Sequence, residues 1–596
     1  MTNDLFYGTK GSPEAPIVVV GESWGAEEKA QRKPFVGISG HELHRMLNEA
    51  GIAQSDVLFT NLIAEQPHAN ETFRFFTPKG ENPSAKRVGG LIPGSLARSE
   101  VQRLYRQLAH RPRRLVIAAG NWSLWGLSRC TGSEVLRESN GRRVPLELQT
   151  YGPNGIMNWR GSMIYVEPHG DLCDPSIDLS TTKLLPIIHP AAITRSWELR
   201  APTIHDLRLR VRQALHDDWR RNPEPTFIWK PSFSEVQHLL WRWLNRADAG
   251  HSILLANDIE TINRRFISCM GFSDGPTFAL TIPFISAKAD DGQLLSYWSE
   301  DQEAEIIRLI RRVLSHPTIH IVGQNYIYDT QYIQHWLGVT PNLHHDTMLA
   351  QNVLYPGTPK DLGYLSSLYC DYHWYWKDDA KDYSTIDERL LRYNCEDVVR
   401  TWEIAKNQIM LITVLGQEEQ MKFKMKTNAL CLRMMNRGVL MDQHRAGSMY
   451  CALESFQTSV YQELLEIIPQ DWVHPIERKT DKYWYRSAKQ TAEVFYDILG
   501  FTVVKHKKTG NPTVGKEALA ILERRYPEFT GLFRRLDYAG SVSNTMNVIK
   551  TPIESDGRMR CAYNPGGTET HRLSSSENVF GRGTNLQNLT KGEEDD

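Results

Sequence analysis

Short apolar runs alternate with helix-period stretches along the N-terminal third of the chain. Residues 17–20 and 115–119 are apolar at every position, and 57–60 read Val-Leu-Phe-Thr. Continuous runs of this length suit strands buried on both faces of a parallel sheet. Between them, residues 42–50 set Leu43, Met46 and Leu47 at helical spacing, which predicts an amphipathic helix. The Pro-rich stretch 222–225 predicts a linker. Beyond it the pattern predicts a helix over 233–244, a strand over 253–259, its antiparallel partner over 266–272, and further amphipathic helices. From 416 to 560 the period is mostly helical, broken by a basic loop at 505–515, and from 561 the chain turns irregular and rich in Gly, Ser and Asn. The expectation is a multidomain α/β protein in four segments, 1–222, 223–415, 416–560 and 561–596, with no internal repeat.

Composition narrows the class. A chain of 596 residues exceeds one core at roughly 100 to 200 residues per domain. With 41% hydrophobic and 23% charged residues, 16 Trp and 23 Tyr, it is neither disordered, collagen-like nor a coiled coil throughout. The apolar runs fall far below the roughly 20 residues of a membrane span, and the first residues lack a basic, apolar signal pattern, so a cytoplasmic protein without membrane contact is expected. The 8 Cys contain no CxxC pair, so neither a disulfide framework nor an Fe–S cluster is expected. Basic and acidic residues balance to a net charge of -1, so nucleic-acid contacts must come from local patches. Candidates are Arg111 to Arg114, 208–212 and above all Lys505-His-Lys-Lys508.

Three motifs carry chemistry in order. Strand 253–260 sets Asp258 and Glu260 two residues apart on one face, with Cα atoms roughly 7 Å apart. Carboxylates aimed at one point repel unless cations lie between them, and two-metal phosphodiester hydrolysis needs such a cluster to activate water and stabilise the leaving oxygen. Asn325 and Asp329 follow, four apart and read as sharing a helical face, then Tyr393 and Asp397 with the same spacing. Asp-Ile-Glu-Thr, Asn-x-x-x-Asp and Tyr-x-x-x-Asp resemble the three exonuclease motifs of the DEDDy proofreading domain in DNA polymerases, and 345–349 and 360–365 are similar to its connecting segments in family A polymerases. The resemblance implies a ribonuclease H-like fold in which Asp258, Glu260, Asp329 and Asp397 hold two Mg2+ or Mn2+ ions, Asp258 bridging both. It also implies that Tyr393 orients the attacking water and that Asn325 fixes the second motif or contacts substrate. His344, His345 and Cys395 lack zinc spacing and are read as packing and surface residues.

Gly-rich turns beyond strand ends, where open α/β sheets bind ligands, mark the first segment. Gly21-Glu-Ser-Trp-Gly25, Lys33-Pro-Phe-Val-Gly37, Thr60-Asn61 and His189-Pro190 together are similar to the uracil-DNA glycosylase superfamily, especially its family 4 branch and the glycosylase-like domains fused to some phage polymerases. By position the resemblance puts Glu22 in the water-activating motif, Phe35 under a flipped base, Asn61 at the base edge and His189 beside the departing base anion. Ser23-Trp24 replaces the family's Ala-Pro and the four cluster cysteines are missing, so a DNA-binding or docking module is the expectation ahead of an active glycosylase.

Farther on, Gly510-x-x-x-x-Gly515-Lys516 nearly spells a P-loop, but Glu517 replaces the Mg2+-binding hydroxyl and Pro512 removes an amide donor. This stretch, with Asn436-Arg-Gly-Val-Leu-Met-Asp442, instead resembles a family A polymerase thumb, which implies that Lys505, Lys507 and Lys508 contact duplex phosphates. Residues 567–576 and 583–588 look like the segment preceding that family's first catalytic palm motif, with His571 in place of the usual Gly. Arg572, Asn585, Gln587 and Asn588 would then touch primer and template through the minor groove. No palm Asp-x-Ser-x-x-Glu strand or His-Asp-Glu turn follows. The chain thus resembles the N-terminal part of a phage-type family A DNA polymerase. The resemblance implies action on primer-template and single-stranded 3′ ends, and nucleotidyl transfer that needs a companion polypeptide carrying palm and fingers. If it comes from a phage, its place is the bacterial host cytoplasm. A stand-alone repair nuclease with a fused glycosylase and a noncatalytic DNA-binding subunit remain alternatives.

Overall fold

The computed structural model describes residues 5–77, 87–88, 90–130, 132–136, 150–216, 219–221, 223–288, 293–378, 387–467, 487–506 and 510–588. The chain divides into two compact units, Met1–Lys422 and Phe423–Asp596.

The first unit is built on two main sheets. The N-terminal sheet consists of β1 (Ile17–Ser23), β2 (Val57–Ile63), β3 (Leu115–Ala119), β4 (Ile164–Tyr165) and β5 (Lys183–Ile187), in the order β2-β1-β3-β5-β4. Every pairing is parallel except β4 with β5. Alternation along β1 sends Val18 and Val20 into one core with Val101 and Leu104 of helix α1 (Ser95–Ala109). Ile17 and Val19 enter the opposite core with Leu207 and Val211 of helix α2 (Arg200–Leu215). Helices on both faces explain why these strands are apolar at every position rather than at every second one.

The second sheet runs β6-β9-β8-β7-β10-β11, from β6 (Thr226–Ile228), β7 (Ile253–Ile262), β8 (Phe266–Gly275), β9 (Phe278–Pro283), β10 (Ile319–Gly323) and β11 (Leu343–Asp346). β7 is antiparallel to β8, with Asp258 opposite Gly271, and parallel to β10. Helix α3 (Phe233–Asp248) starts with a capping box between Ser232 and Glu235. Three more helices matter for the site: α4 (Ile327–Leu337), α5 (Leu362–Tyr369) and α6 (Glu388–Val414). The last lies close on the sheet, because a Cβ at Gly271 would stand 2.3 Å from Asn394 Oδ1 and 2.9 Å from Val398 Cγ1. Glycine there lets the helix approach.

Asn222 of the expected linker lies outside the described residues, and the two sheets are joined through a buried polar seam. Arg160 pairs with Asp206 at 2.5 and 2.8 Å and donates to Ser367 Oγ at 2.7 Å, all three buried. Arg210 donates to the carbonyls of Ser367, Cys370 and Asp371 at 3.0, 3.1 and 2.6 Å. Buried guanidinium groups are tolerable because carboxylate and carbonyl oxygens meet their N–H groups.

In the second unit, α7 (Gln443–Ile467), α8 (Lys516–Arg525) and α9 (Thr530–Lys550) pack around Val460, Phe495, Phe501, Leu522 and Phe533. The pattern predicts irregular chain after 560, yet Ala562–Asn564 pairs antiparallel with Ser574–Ser576. His571 has φ of +60°, in the left-handed region that favours glycine. No described helix is long and apolar enough to cross a membrane.

Candidate active site

Carboxylate oxygens of Asp258, Glu260 and Asp397 lie within 4.8 Å of one another. The first two project from one face of β7, which carries a register shift between Glu260 and Thr261. Asp397 comes from α6, one turn after Tyr393, and both are buried. Asp329, in the first turn of α4, stands beside this trio and accepts a hydrogen bond from the Ile259 amide at 3.0 Å. The residues fit divalent magnesium or manganese: all donors are hard oxygens, and the carboxyls are crowded out of their ordinary charge state. Burial first and the Asp397 charge second push Asp258 up to about 7. Glu260 is driven well above its usual range by burial and then by Asp258, and Asp329 likewise. A cation of charge two among them would remove the repulsion.

Asp258 and Asp397 are held by neighbours outside the expected ligand set. Asn394 Nδ2 donates to Asp258 Oδ2 at 2.8 Å, while its own oxygen accepts from Thr281 Oγ1 at 2.9 Å. The Trp376 indole donates to Asp397 Oδ1 at 2.7 Å. Lys377 Nζ donates to Asp397 Oδ2 at 2.6 Å and to Tyr393 Oη at 2.7 Å. Burial works against the Lys377 charge, but Asp397, Asp258 and Glu260 together outweigh it and raise the lysine above its ordinary value. Asn394 sits inside the Tyr-x-x-x-Asp run and was findable there; for Trp376 and Lys377 the sole signal is the aromatic-basic run 373–377.

Asn325 departs from its expected place. It lies ahead of α4 with φ of +52°, and Tyr326 caps the helix, so Asn325 and Asp329 do not share a helical face. The cause is buried Asp346, whose carboxylate accepts from the amides of Asn325 and Tyr326 at 3.3 and 2.7 Å and from those of Met348 and Leu349 at 2.9 and 3.1 Å. His345 is buried against Gln408 Oε1 at 3.1 Å, and Cys395 Sγ lies 3.1 Å from Thr281 Oγ1.

In the N-terminal sheet, Glu22, Phe35, Asn61 and His189 gather at the ends of parallel strands. Gly21 pairs with Asn61, and a Cβ on Gly21 would stand 2.7 Å from Phe35 Cζ and 2.9 Å from Asn61 Nδ2. A Cβ on Gly120 would meet Glu22 Oε1 at 2.4 Å and His189 Cβ at 3.0 Å. Glu22 Oε1 accepts from the Trp122 amide at 3.2 Å, and His189 Nδ1 accepts from the Ala191 amide at 3.2 Å, which leaves the ring proton on Nε2 in the neutral form. Asn61 is buried and its Oδ1 has no partner among the described residues. Trp24 is buried against Tyr7, with ring centroids 6.0 Å apart, and against Gly8.

Of the expected DNA contacts, Lys505 bridges to Pro512, while Lys507 and Lys508 lie outside the described residues. Arg572 is exposed, Asn585 Oδ1 accepts from the Gln587 amide at 3.0 Å, and Asn588 ends the short helical turn Leu586–Asn588.

Two protein families match parts of the chain. The uracil DNA glycosylase superfamily matches residues 9–211, and a 3′-5′ exonuclease family matches 279–408, taking in Asp329, Tyr393 and Asp397 and starting beyond the strand of Asp258 and Glu260. The type-4 uracil-DNA glycosylase of Saccharolobus solfataricus is 40% identical over 62 residues, 10% of this chain and 29% of that protein. The type-4 enzyme of Thermotoga maritima is 40% identical over 63 residues, 11% of this chain and 33% of that protein. The chain thus spans a third or less of these relatives. Among solved structures, the POL domain of Pol1 from M. smegmatis, in complex with DNA primer-template and dNTP, aligns with 62% of this chain and 56% of its own at 16% identity and a TM-score of 0.43. Residues 9–211 are therefore a domain of the uracil DNA glycosylase superfamily, joined in one chain to a 3′-5′ exonuclease domain of the DNA polymerase A type.

Proposed function

We propose that the chain is the editing part of a family A DNA polymerase, which removes nucleotides from frayed single-stranded 3′ ends with two Mg2+ or Mn2+ ions held by Asp258, Glu260, Asp329 and Asp397. The observation that carries the reading is the convergence of three carboxylates within 4.8 Å, with the Tyr393 phenol one helical turn from Asp397. Such cations, when bound, supply Lewis-acid activation of water and stabilise the departing oxygen. The chain's own residues do the rest. Asn394 holds Asp258, Lys377 and Trp376 hold Asp397, and Tyr393 orients the incoming water through its hydroxyl.

In this reading Lys505, Lys507 and Lys508 of the thumb track duplex phosphates, and Asn325 contacts the strand entering the site. Arg572, Asn585, Gln587 and Asn588 lead to a palm, and nucleotidyl transfer uses a companion polypeptide that carries palm and fingers. The N-terminal domain serves as a DNA-binding or docking module in the cytoplasm rather than excising uracil. The experiment is digestion of a 5′-labelled single strand in Mg2+ or Mn2+ by the chain and by Asp258→Ala with Glu260→Ala. Stepwise shortening from the 3′ end, lost in the double variant, is expected; undiminished digestion by that variant refutes the site.

A further inference from the structure

The hydrogen bonds around the carboxylates lead out of the exonuclease domain. Trp376 and Lys377, which hold Asp397 and Tyr393, stand at the end of the irregular segment 371–377 between α5 and α6. A segment with no strand or helix of its own is placed by whatever satisfies its backbone. Here the partners belong largely to the glycosylase-superfamily domain. Arg210 donates to the carbonyls of Cys370 and Asp371. The Met163 amide donates to the His373 carbonyl at 2.7 Å, and the Tyr375 amide donates to Ser162 Oγ at 3.1 Å. The Tyr375 ring meets Trp159 edge-on at 5.3 Å, and its hydroxyl accepts from Asn158 Nδ2 at 3.2 Å. From the exonuclease side, Arg400 holds the Tyr372 carbonyl at 2.6 Å and Glu403 accepts from the Asp371 amide at 2.8 Å.

We propose that the glycosylase-superfamily domain is the structural clamp of the exonuclease centre: residues 158–163 grip 373–375 and thereby set Trp376 and Lys377, positioning residues for Asp397 and Tyr393. A carboxylate oxygen has two lone-pair directions, so it can accept one hydrogen bond that fixes its rotation and still offer the other to a cation. The Tyr393 oxygen accepts from Lys377 in the same way. A slipped segment lets both side chains rotate away from the geometry in which Asp258 and Glu260 await them. The clamp gives the N-terminal domain a function that does not depend on any glycosylase chemistry.

The inference rests on the nuclease reading for its consequence, but its mechanical part is tested without activity. Amide hydrogen exchange is measured in EDTA on the wild-type chain and on Trp159→Ala with Ser162→Ala, and single-turnover digestion is measured in Mg2+ on both. Exchange in 371–378 is expected to quicken while that of β7 stays unchanged. The digestion rate should fall roughly fivefold, the weight of one lost hydrogen bond, with DNA affinity unchanged. Lys377→Met should lose roughly 10- to 100-fold, and combining it with the clamp variant should cost nothing further, because both act through one segment. If the double variant does not fold, Ser162→Ala alone carries the same comparison. Unchanged exchange, faster exchange with an unchanged rate, or fully additive losses overturn the clamp. A wild-type chain that digests nothing defeats the nuclease reading instead, while the exchange comparison still decides the clamp.

Discussion

Removing divalent cations should make the first unit lose stability as pH rises, and the size of the loss follows from the site. Asp258 titrates at about 7 in the folded chain, because burial and then the Asp397 charge disfavour its ionised form, against about 4 when unfolded. A carboxyl whose folded value is raised binds its proton more tightly in the folded state. The advantage is complete below about pH 4, shrinks as pH climbs towards 7, and is gone above that. The interval is worth roughly 4 kcal/mol from Asp258 alone. Glu260 and Asp329 act in the same direction, and the Lys377 ammonium offsets part of it. The assay is the urea midpoint in EDTA from about pH 5 to about pH 8, repeated with Mn2+ and with Asp258→Asn. The midpoint should fall across this range in EDTA, hold steadier with Mn2+, and flatten in the variant. A midpoint level or rising with pH in EDTA, or a decline left whole in Asp258→Asn, would refute the reasoning.

Three further outcomes are expected. Asp206→Ala leaves the buried Arg160 guanidinium without its carboxylate and should destabilise the first unit by roughly 3 to 5 kcal/mol in urea unfolding, most of it recovered in Arg160→Met with Asp206→Leu; equal losses in both would show that the seam's packing, not its charge, matters. Abasic-site formation on a uracil-containing duplex should be absent or feeble, and robust release abolished by Asn61→Ala or His189→Ala would reverse that reading of the N-terminal pocket. Primer extension should be missing with this chain and appear when a polypeptide carrying palm and fingers is added; extension by the chain unaided would place a nucleotidyl-transfer site within the 596 residues and refute the need for a companion.

Local chemistry carried most of what the sequence could tell. The runs at 17–20 and 115–119 could be read as parallel strands because burial on both faces erases the polar half of the alternation. Asp258 and Glu260 could be read as a pair because a strand period of two sets them on one face without reference to the rest of the fold. The same logic misplaced Asn325. Spacing of four implies a shared helical face if the helix has already begun, and here Asp346, a residue 21 positions away, draws the Asn325 and Tyr326 amides into a left-handed turn first. The hairpin after 560 was equally hidden, since a Gly- and Ser-rich stretch has no hydrophobic period to announce its pairing.

What stayed out of reach has a common physical origin. A metal ligand is recognisable by type and spacing, because the cation dictates oxygen donors converging on a point. The groups that orient a ligand answer to no such rule: an indole, an ammonium or an amide can each donate to a carboxylate, from any position that folding brings near. Trp376 and Lys377 reach Asp397 from 21 and 20 positions upstream, and the backbone that delivers them is fixed by Ser162 and Met163, more than 200 residues upstream. The seam between the two sheets belongs to the same class. Arg160, Asp206 and Arg210 look in sequence like ordinary surface charges on a helix and a loop, since a buried ion pair and a solvated one have the same composition. Once buried, each guanidinium must find several acceptors or destabilise the fold, and the carbonyls of residues 367–371 are where Arg210 finds them. That requirement makes the contact between the domains specific to one register, and so able to hold a neighbouring segment to the ångström tolerance that a cluster of converging carboxylates demands.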